Sequence, residues 1–189
     1  MAPIGANLQE RTPSRRAGLR FPLVAAVEAA ALFVAYFYPF PEDSSVAIAV
    51  RSYLASYARI VGDLVSVFEP NVAVDGSTIH GPLFSMRMVR TCDAMEVNIL
   101  LLAAIAAFPM PLWRRLVLAP AAVLLLVFVN IARLCLLYWL GAHAPSWFDR
   151  THQTLAPLFM VASALVVFFF ATHQKRSNPA TNPAGAISA

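Results

Sequence analysis

Residues 116–140 read LVLAPAAVLLLVFVNIARLCLLYWL, and this stretch decides the fold. It is apolar apart from Asn130 and Arg133, and it exceeds the roughly 20 residues that a helix needs to cross a bilayer. Three further runs are largely apolar and are predicted to be spans as well: 19–40, 92–108 and 153–172. The chain is therefore predicted to cross a membrane four times.

The composition favours a membrane protein over other classes. Hydrophobic residues occupy 59% of the 189 positions and charged residues only 13%, about half the charged fraction of a typical soluble domain. The net charge is +4, but the basic residues lie beside apolar runs with little aromatic interleaving. We therefore expect the lipid bilayer as a partner and no nucleic acid. The sequence offers no CxxC motif, no zinc-type spacing and no other metal or cofactor site.

The outer segment 41–91 has a different pattern. Within 44–68, apolar residues recur at helical spacing and polar residues fill the opposite face, which predicts an amphipathic helix. Asp75-Gly76 lies between short β-forming stretches, and Gly accepts the positive φ of a tight turn, so a hairpin is predicted there. The predicted fold is an all-α polytopic membrane protein of four transmembrane helices, with an outer amphipathic helix and a small outer β-hairpin.

Basic clusters predict the orientation of the spans. The arginine-rich N-terminus, Arg114-Arg115 and Lys175-Arg176 fall on one side of a four-span chain, and positive charge marks the cytoplasmic side. We expect a cytoplasmic basic tail over 1–18, one membrane-embedded domain over 19–172 and a disordered cytoplasmic tail over 173–189. The segment 41–91 and a loop over 141–152 then face outward.

Cys92, Arg133 and His152 lie at the same predicted end of three different spans. Cys92 begins the second span, and His152 directly precedes the fourth. Arg133 lies about two turns, roughly 10 Å, inside the outer end of the third. The sequence therefore predicts that a thiol, a guanidinium and an imidazole meet in one outer layer.

These side chains are the minimal parts of a cysteine acyl-transfer site. The thiolate is the nucleophile, and a helix N-terminus and an imidazolium both stabilise it. His152 could protonate a departing amine, and Arg133 could stabilise an oxyanion. Each residue alone also has a structural explanation: a small buried hydrophobe, a snorkelling cation and an interfacial polar residue. The coincidence of all three at one depth favours function, because ionisable groups inside spans are costly.

Neighbouring polar residues are supporting or alternative members of the site. Asn130, one turn before the arginine, could orient it or serve as structural glue between helices. Asp93 and Glu96 resemble a capping box and suit the helix dipole. His80 and His143 are also predicted on the outer side, and either is an alternative base.

At these residues the chain resembles the exosortase/archaeosortase family of membrane cysteine transpeptidases. The resemblance covers roughly 72–172 and keeps the family's order of Cys, Asn-x-x-Arg and His. The short single-module build and the residues that follow the cysteine are most similar to the exosortase H subgroup. The matching pieces are Arg90-Thr91-Cys92-Asp93-Ala94, Asn130-Ile131-Ala132-Arg133-Leu134, Tyr138-Trp139-Leu140-Gly141, Trp147-Phe148 and His152.

The resemblance implies a function and a partner class. Cys92 would be the nucleophile, Arg133 the transition-state stabiliser and His152 the general acid/base. The substrates would be exported proteins with a C-terminal sorting signal made of a short motif, a transmembrane helix and basic residues. The subgroup implies an IPTL-type motif. The enzyme would lie in the bacterial inner membrane, with its site facing the periplasm, and pass the acyl group to an envelope acceptor.

The chain departs from the family directly after the cysteine. Relatives usually carry Ser or Thr and then Gly, whereas this chain carries Asp93 and Ala94. If that Gly allows close backbone approach, Ala94 narrows the site and alters specificity or activity.

Two other functions are compatible with the sequence. A non-catalytic assembly factor for export or polysaccharide systems would tolerate loss of the Cys92 thiol. A membrane thiol oxidoreductase would need both Cys92 and Cys135, although a helix places Cys135 about 200° around from Arg133.

Overall fold

The computed structural model describes residues 15–173, with side chains from residue 22 onward. The expected tails over 1–18 and 173–189 lie almost wholly outside these residues. The helices are α1 (Arg15–Phe37), α2 (Ser45–Ser66), α3 (Met95–Ala107), α4 (Leu112–His143), α5 (Pro145–Arg150) and α6 (Ala156–His173). A π-helical turn, Thr151–Leu155, joins α5 to α6, and the strands are β1 (Ala73–Asp75), β2 (Thr78–His80) and β3 (Ser85–Arg87).

The apolar helices agree with the predicted spans in position. Within the part of the chain that the structure describes, two helical rods are long and apolar enough to cross a membrane, α4 and the continuous rod Pro145–His173. From Pro22, where the described side chains begin, α1 is apolar to Phe37, and α3 is apolar throughout but has only 13 residues, fewer than a usual span. α1 packs along α3, and α3, α4 and α6 contact one another around a shared apolar core. That core consists of Leu101, Ile105, Ala122, Leu126 and Ala164.

The predicted hairpin is confirmed and extends to a third strand. β1 and β2 pair antiparallel with Asp75 opposite Thr78, and Gly76 has a φ of 54° in the turn between them. β3 then pairs antiparallel with β2, so the sheet order is β1-β2-β3. The chain leaves β3 directly toward Cys92.

The predicted amphipathic helix is also present, as α2. It begins where the Ser44 hydroxyl accepts a hydrogen bond from the Ala47 N–H at 3.2 Å, the usual role of an N-cap serine. Its buried face packs against α4 and the sheet. At Gly62 the approach to β1 is so close that an added Cβ would lie 2.3 Å from Val74 Cγ2. Two apolar residues of this helix, Ile60 and Leu64, are exposed.

The loop predicted over 141–152 is wrong. α4 continues to His143, a single residue links it to Pro145, and the chain is helical again from there to His173. Pro145 occupies the first helical turn, where its fixed φ suits a helix and its missing N–H costs nothing. The polar residues Asp149 and Arg150 precede the apolar run 153–172, yet they already belong to the helical rod. His152 therefore lies within a helical rod and not at its start.

Candidate active site

Cys92 lies in the turn between β3 and α3, three residues before the helix begins. Its N–H donates to the Val89 carbonyl at 2.8 Å, and the residue is 7% exposed. The thiol is not part of a disulfide. It belongs to a buried core cluster with residues from α2, the sheet and α4, among them Val61, Met86 and Leu134. The prediction that Cys92 itself begins the second helix is thus off by three residues, because Asp93 and Ala94 form a turn before it.

Asn130 connects this turn to the predicted arginine. Its amide nitrogen donates to the Cys92 carbonyl oxygen at 2.9 Å and to the Tyr57 hydroxyl at 3.3 Å. Its amide oxygen accepts a hydrogen bond from Arg133 Nη1 at 3.1 Å. The Asn130 side chain is fully buried, so it has few alternative partners. One amide therefore fixes the backbone of the cysteine and the direction of the guanidinium together.

Arg133 has binding capacity left. Its Nε is buried and has no hydrogen-bond partner among the described residues. The guanidinium interacts electrostatically with both Cys92 and His152. It also lines an apolar cavity of about 490 Å³ between α4 and the start of α6, together with Thr151. A planar cation with free donors at a cavity wall is suited to bind a developing oxyanion.

His152 is held differently from Cys92. It lies in the π-helical turn, half-buried, and its ring stacks on Phe148 with centroids 5.5 Å apart and planes 5° apart. Phe148 in turn packs against Phe84, in the segment that leads to Cys92, at 5.2 Å. Within the described part of the chain, no hydrogen bond joins the His152 imidazole to the thiol or to Arg133. Ring packing through Phe148 and Phe84 places His152 on this side of the molecule. The nearby Arg133 guanidinium opposes a positive charge on the imidazole and does not attract it.

Asp93 anchors the cysteine turn to α1. It is 1% exposed, accepts a hydrogen bond from the Tyr36 hydroxyl, and accepts a second from the Met95 N–H at 2.9 Å. Burial raises the pKa of the Asp93 carboxyl, and these two hydrogen bonds oppose that rise. Arg90 donates to the Tyr36 carbonyl at 3.2 Å and lies over its ring, 5.9 Å from the centroid. The capping box predicted for Asp93 and Glu96 is wrong: the N-cap of α3 is Ala94, which makes no side-chain cap hydrogen bond. Asp93 lies one residue earlier and accepts from the Met95 N–H instead.

The backbone at Ala94 has a conformation that favours glycine. It has φ 58° and ψ 20°, a left-handed conformation that costs an L-residue roughly 1–2 kcal/mol and glycine almost nothing. An alanine at this position therefore places a strained backbone directly before α3. Glu96 occupies the first turn of that helix, where an acid suits the dipole.

The other candidate residues lie apart from this arrangement. His143 stacks on Trp139 and contacts its carbonyl at 3.2 Å, and the exposed His80 contacts Ser85 at 3.4 Å. Cys135 is free and half-buried at the edge of the core cluster that includes Cys92. Among residues 15–173, no three His, Cys, Asp or Glu side chains form a cluster that could hold a metal ion.

Two tyrosines of the site were not identified from the sequence. Tyr36 and Tyr57 fit their helices as apolar-face residues, so the periodicity gave no sign of their hydroxyl contacts. The available signal was chemical: a buried tyrosine usually requires a hydrogen-bond partner. A tyrosine in an apolar stripe should therefore be matched with the buried amides and acids nearby in the predicted fold.

The chain belongs to the transmembrane exosortase family, whose model matches residues 17–170. The family identification from the sequence is confirmed, and the chain is a membrane protein. No curated protein and no solved structure matches it. Membership in this family suggests a sorting transpeptidase.

Proposed function

We propose that this transmembrane exosortase is a cysteine protease and transpeptidase of the bacterial inner membrane. It cleaves the C-terminal sorting signal of exported proteins, made of a motif, a transmembrane helix and a basic end, and transfers the product to an envelope acceptor. The observation that carries the proposal is the Asn130 bridge, which joins the Cys92 carbonyl to the Arg133 guanidinium. A purely structural cysteine does not need a cation aligned beside it.

The proposed topology has four spans, with both termini in the cytoplasm and the site facing the periplasm. Arg114 and Arg115 lie in the first turn of α4, and Arg133 lies near its other end. Positive charge at the N-terminal end of α4 supports a cytoplasmic location for that end. The sheet, α2 and Cys92 then lie on the periplasmic side, where exported substrates arrive.

The chemistry divides among three side chains. Cys92 Sγ attacks the scissile carbonyl carbon, and its proton passes to His152. The Arg133 guanidinium stabilises the negative oxygen of the tetrahedral intermediate. His152 then gives the proton to the departing amine as the C–N bond breaks, which leaves a thioester on Cys92. An acceptor nucleophile then attacks the thioester carbonyl carbon and gives its proton to His152. The C–S bond breaks, and His152 returns the proton to the departing Cys92 thiolate.

Asn130 and Asp93 have supporting roles in this proposal. Asn130 directs Arg133, while Asp93 fixes the turn that presents the thiol. Glu96 supports the start of α3. His152 completes the site only when a substrate amine lies between it and the thiol, as catalytic hydrogen bonds often tighten on substrate binding.

A reporter tests the proposal. An exported protein that ends in an IPTL-type motif, a transmembrane helix and basic residues is co-expressed with wild-type protein, Cys92→Ala or Cys135→Ser. We expect tail loss with wild type and Cys135→Ser and full retention with Cys92→Ala, at equal membrane levels. Equal processing by wild type and Cys92→Ala would refute the proposal. Retention of the tail with both Cys92→Ala and Cys135→Ser would favour a thiol oxidoreductase.

A further inference from the structure

A second cavity, of about 480 Å³, lies between α1, α3 and α4. It is lined by the second half of α3, including Leu102 and Ile105, and by the first turns of α4, including Leu116. Cys92 precedes the opposite end of α3, so this cavity is remote from the candidate site. Its walls are apolar except for Glu28 and Arg115.

The two charged residues both have unused hydrogen-bonding atoms. Glu28 Oε2 and Arg115 Nε are buried, and neither has a hydrogen-bond partner among the described residues. Arg115 Nη2 donates to the Phe108 carbonyl at 3.0 Å, which fixes the guanidinium at the turn between α3 and α4. Buried polar atoms of charged groups are costly when, like Glu28 Oε2 and Arg115 Nε, they have no hydrogen-bond partner. A ligand that supplies a cation to Glu28 and an anion to Arg115 would remove that cost.

The length of α3 indicates where such a ligand comes from. α3 has 13 residues, so it is about 20 Å long, whereas the hydrocarbon core of a bilayer is about 30 Å thick. A short apolar helix is accommodated by local thinning of the bilayer. Thinning at the turn after α3 draws lipid headgroups toward Glu28 and Arg115.

We propose that this cavity binds the zwitterionic headgroup of a phospholipid that carries a primary ammonium group. The phosphate faces Arg115, the ammonium donates to Glu28, and the acyl chains follow Leu102, Ile105 and Leu116. A choline headgroup has no N–H to donate to the carboxylate, and a glycerol headgroup brings no cation. This site is separate from the proposed peptidase function.

The test is a lipid panel on the purified full chain. Thermal unfolding and native mass spectrometry are recorded after addition of phosphatidylethanolamine, phosphatidylcholine or phosphatidylglycerol with identical acyl chains. We expect phosphatidylethanolamine to be retained preferentially and to raise the unfolding midpoint most. Glu28→Gln and Arg115→Gln should each weaken its retention about tenfold, the effect of one charge-assisted hydrogen bond. Arg114→Gln and Asp63→Asn, outside the cavity, should retain it fully.

Several results would overturn the proposal. Equal retention of the three lipids, or a preference for phosphatidylglycerol that only Arg115→Gln removes, would exclude a zwitterionic site. An equal midpoint shift with soluble phosphoethanolamine would exclude a lipid as the ligand. Because the wild-type panel alone shows headgroup preference, the test remains decisive if a variant fails to fold. None of these measurements depends on peptidase activity.

Discussion

Cys92 and His152 are held by different kinds of contact. The turn that carries Cys92 is joined by hydrogen bonds to α4 through Asn130 and to α1 through Asp93. His152 lies half-buried in a π-helical turn and is positioned by stacking on Phe148. Hydrogen bonds are directional and ring stacking is less so. The proposed nucleophile is therefore fixed in advance, whereas the proposed acid/base can adjust as substrate enters.

The largest effect is expected when the hydrogen bonds that hold the Cys92 turn are removed. In Asn130→Leu the Cys92 carbonyl and the Tyr57 hydroxyl lose their donor, and Arg133 loses its acceptor. We expect reporter processing to fall about 100-fold, because small misplacement of catalytic groups has effects of that order. Rates of tail loss at matched membrane levels measure it.

Asn98→Leu is the matched control. Asn98 is also a buried amide, but its side chain donates to the Ala94 carbonyl, whereas Arg133 donates to Asn130. We expect it to lower the unfolding midpoint while it retains much more processing than Asn130→Leu. Equal activity losses in the two variants would mean that Asn130 acts through stability and not through the orientation of Arg133.

The second prediction concerns the stacking of His152 on Phe148, and the expected fall in processing is smaller. Phe148→Leu removes the ring on which His152 lies, and an aromatic pair contributes about 0.5–1.5 kcal/mol. We expect processing to fall by up to about tenfold, with full recovery of folded protein. Trp147→Leu, which removes a neighbouring exposed ring that packs on Arg150, should have no such effect. A loss as large as that of Asn130→Leu would contradict the difference between the two regions.

The third prediction changes stability rather than rate. Ala94→Gly relieves a left-handed backbone at the turn and should stabilise the fold by about 1 kcal/mol, visible as a higher unfolding midpoint. Ala104→Gly, inside α3, should shift the midpoint downward because glycine weakens a regular helix. A lower midpoint for Ala94→Gly would show that the positive φ at Ala94 is not strained.

Much of the fold was predictable because hydrophobic patterns report burial directly. The apolar runs, the amphipathic period of α2 and the Asp75-Gly76 turn correspond to structural elements. The loop over 141–152 was predicted wrongly because hydropathy marks where a helix becomes polar, not where it ends. Polar residues such as Asp149 lie on a helix that begins before the apolar run 153–172.

The site was only partly predictable for a similar reason. Its reactive residues stand out by type, since Arg133 is a charge inside an apolar run. The contacts that support these residues cannot be read from residue type, because they join distant parts of the chain. Asn130 and Tyr57, which share a hydrogen bond, are 73 positions apart in sequence. The positive φ of Ala94 was hidden as well, since alanine normally favours helix.

The most direct test of the central claim is to look for the acyl group on Cys92. Purified wild-type protein is mixed with the sorting-signal reporter, quenched with acid and analysed by mass spectrometry. We predict a hydroxylamine-sensitive thioester on the peptide that contains Cys92, ending at the cleaved motif, and none in Cys92→Ala. Cleavage that continues in Cys92→Ala, or an acyl group on Cys135 instead, would contradict the account.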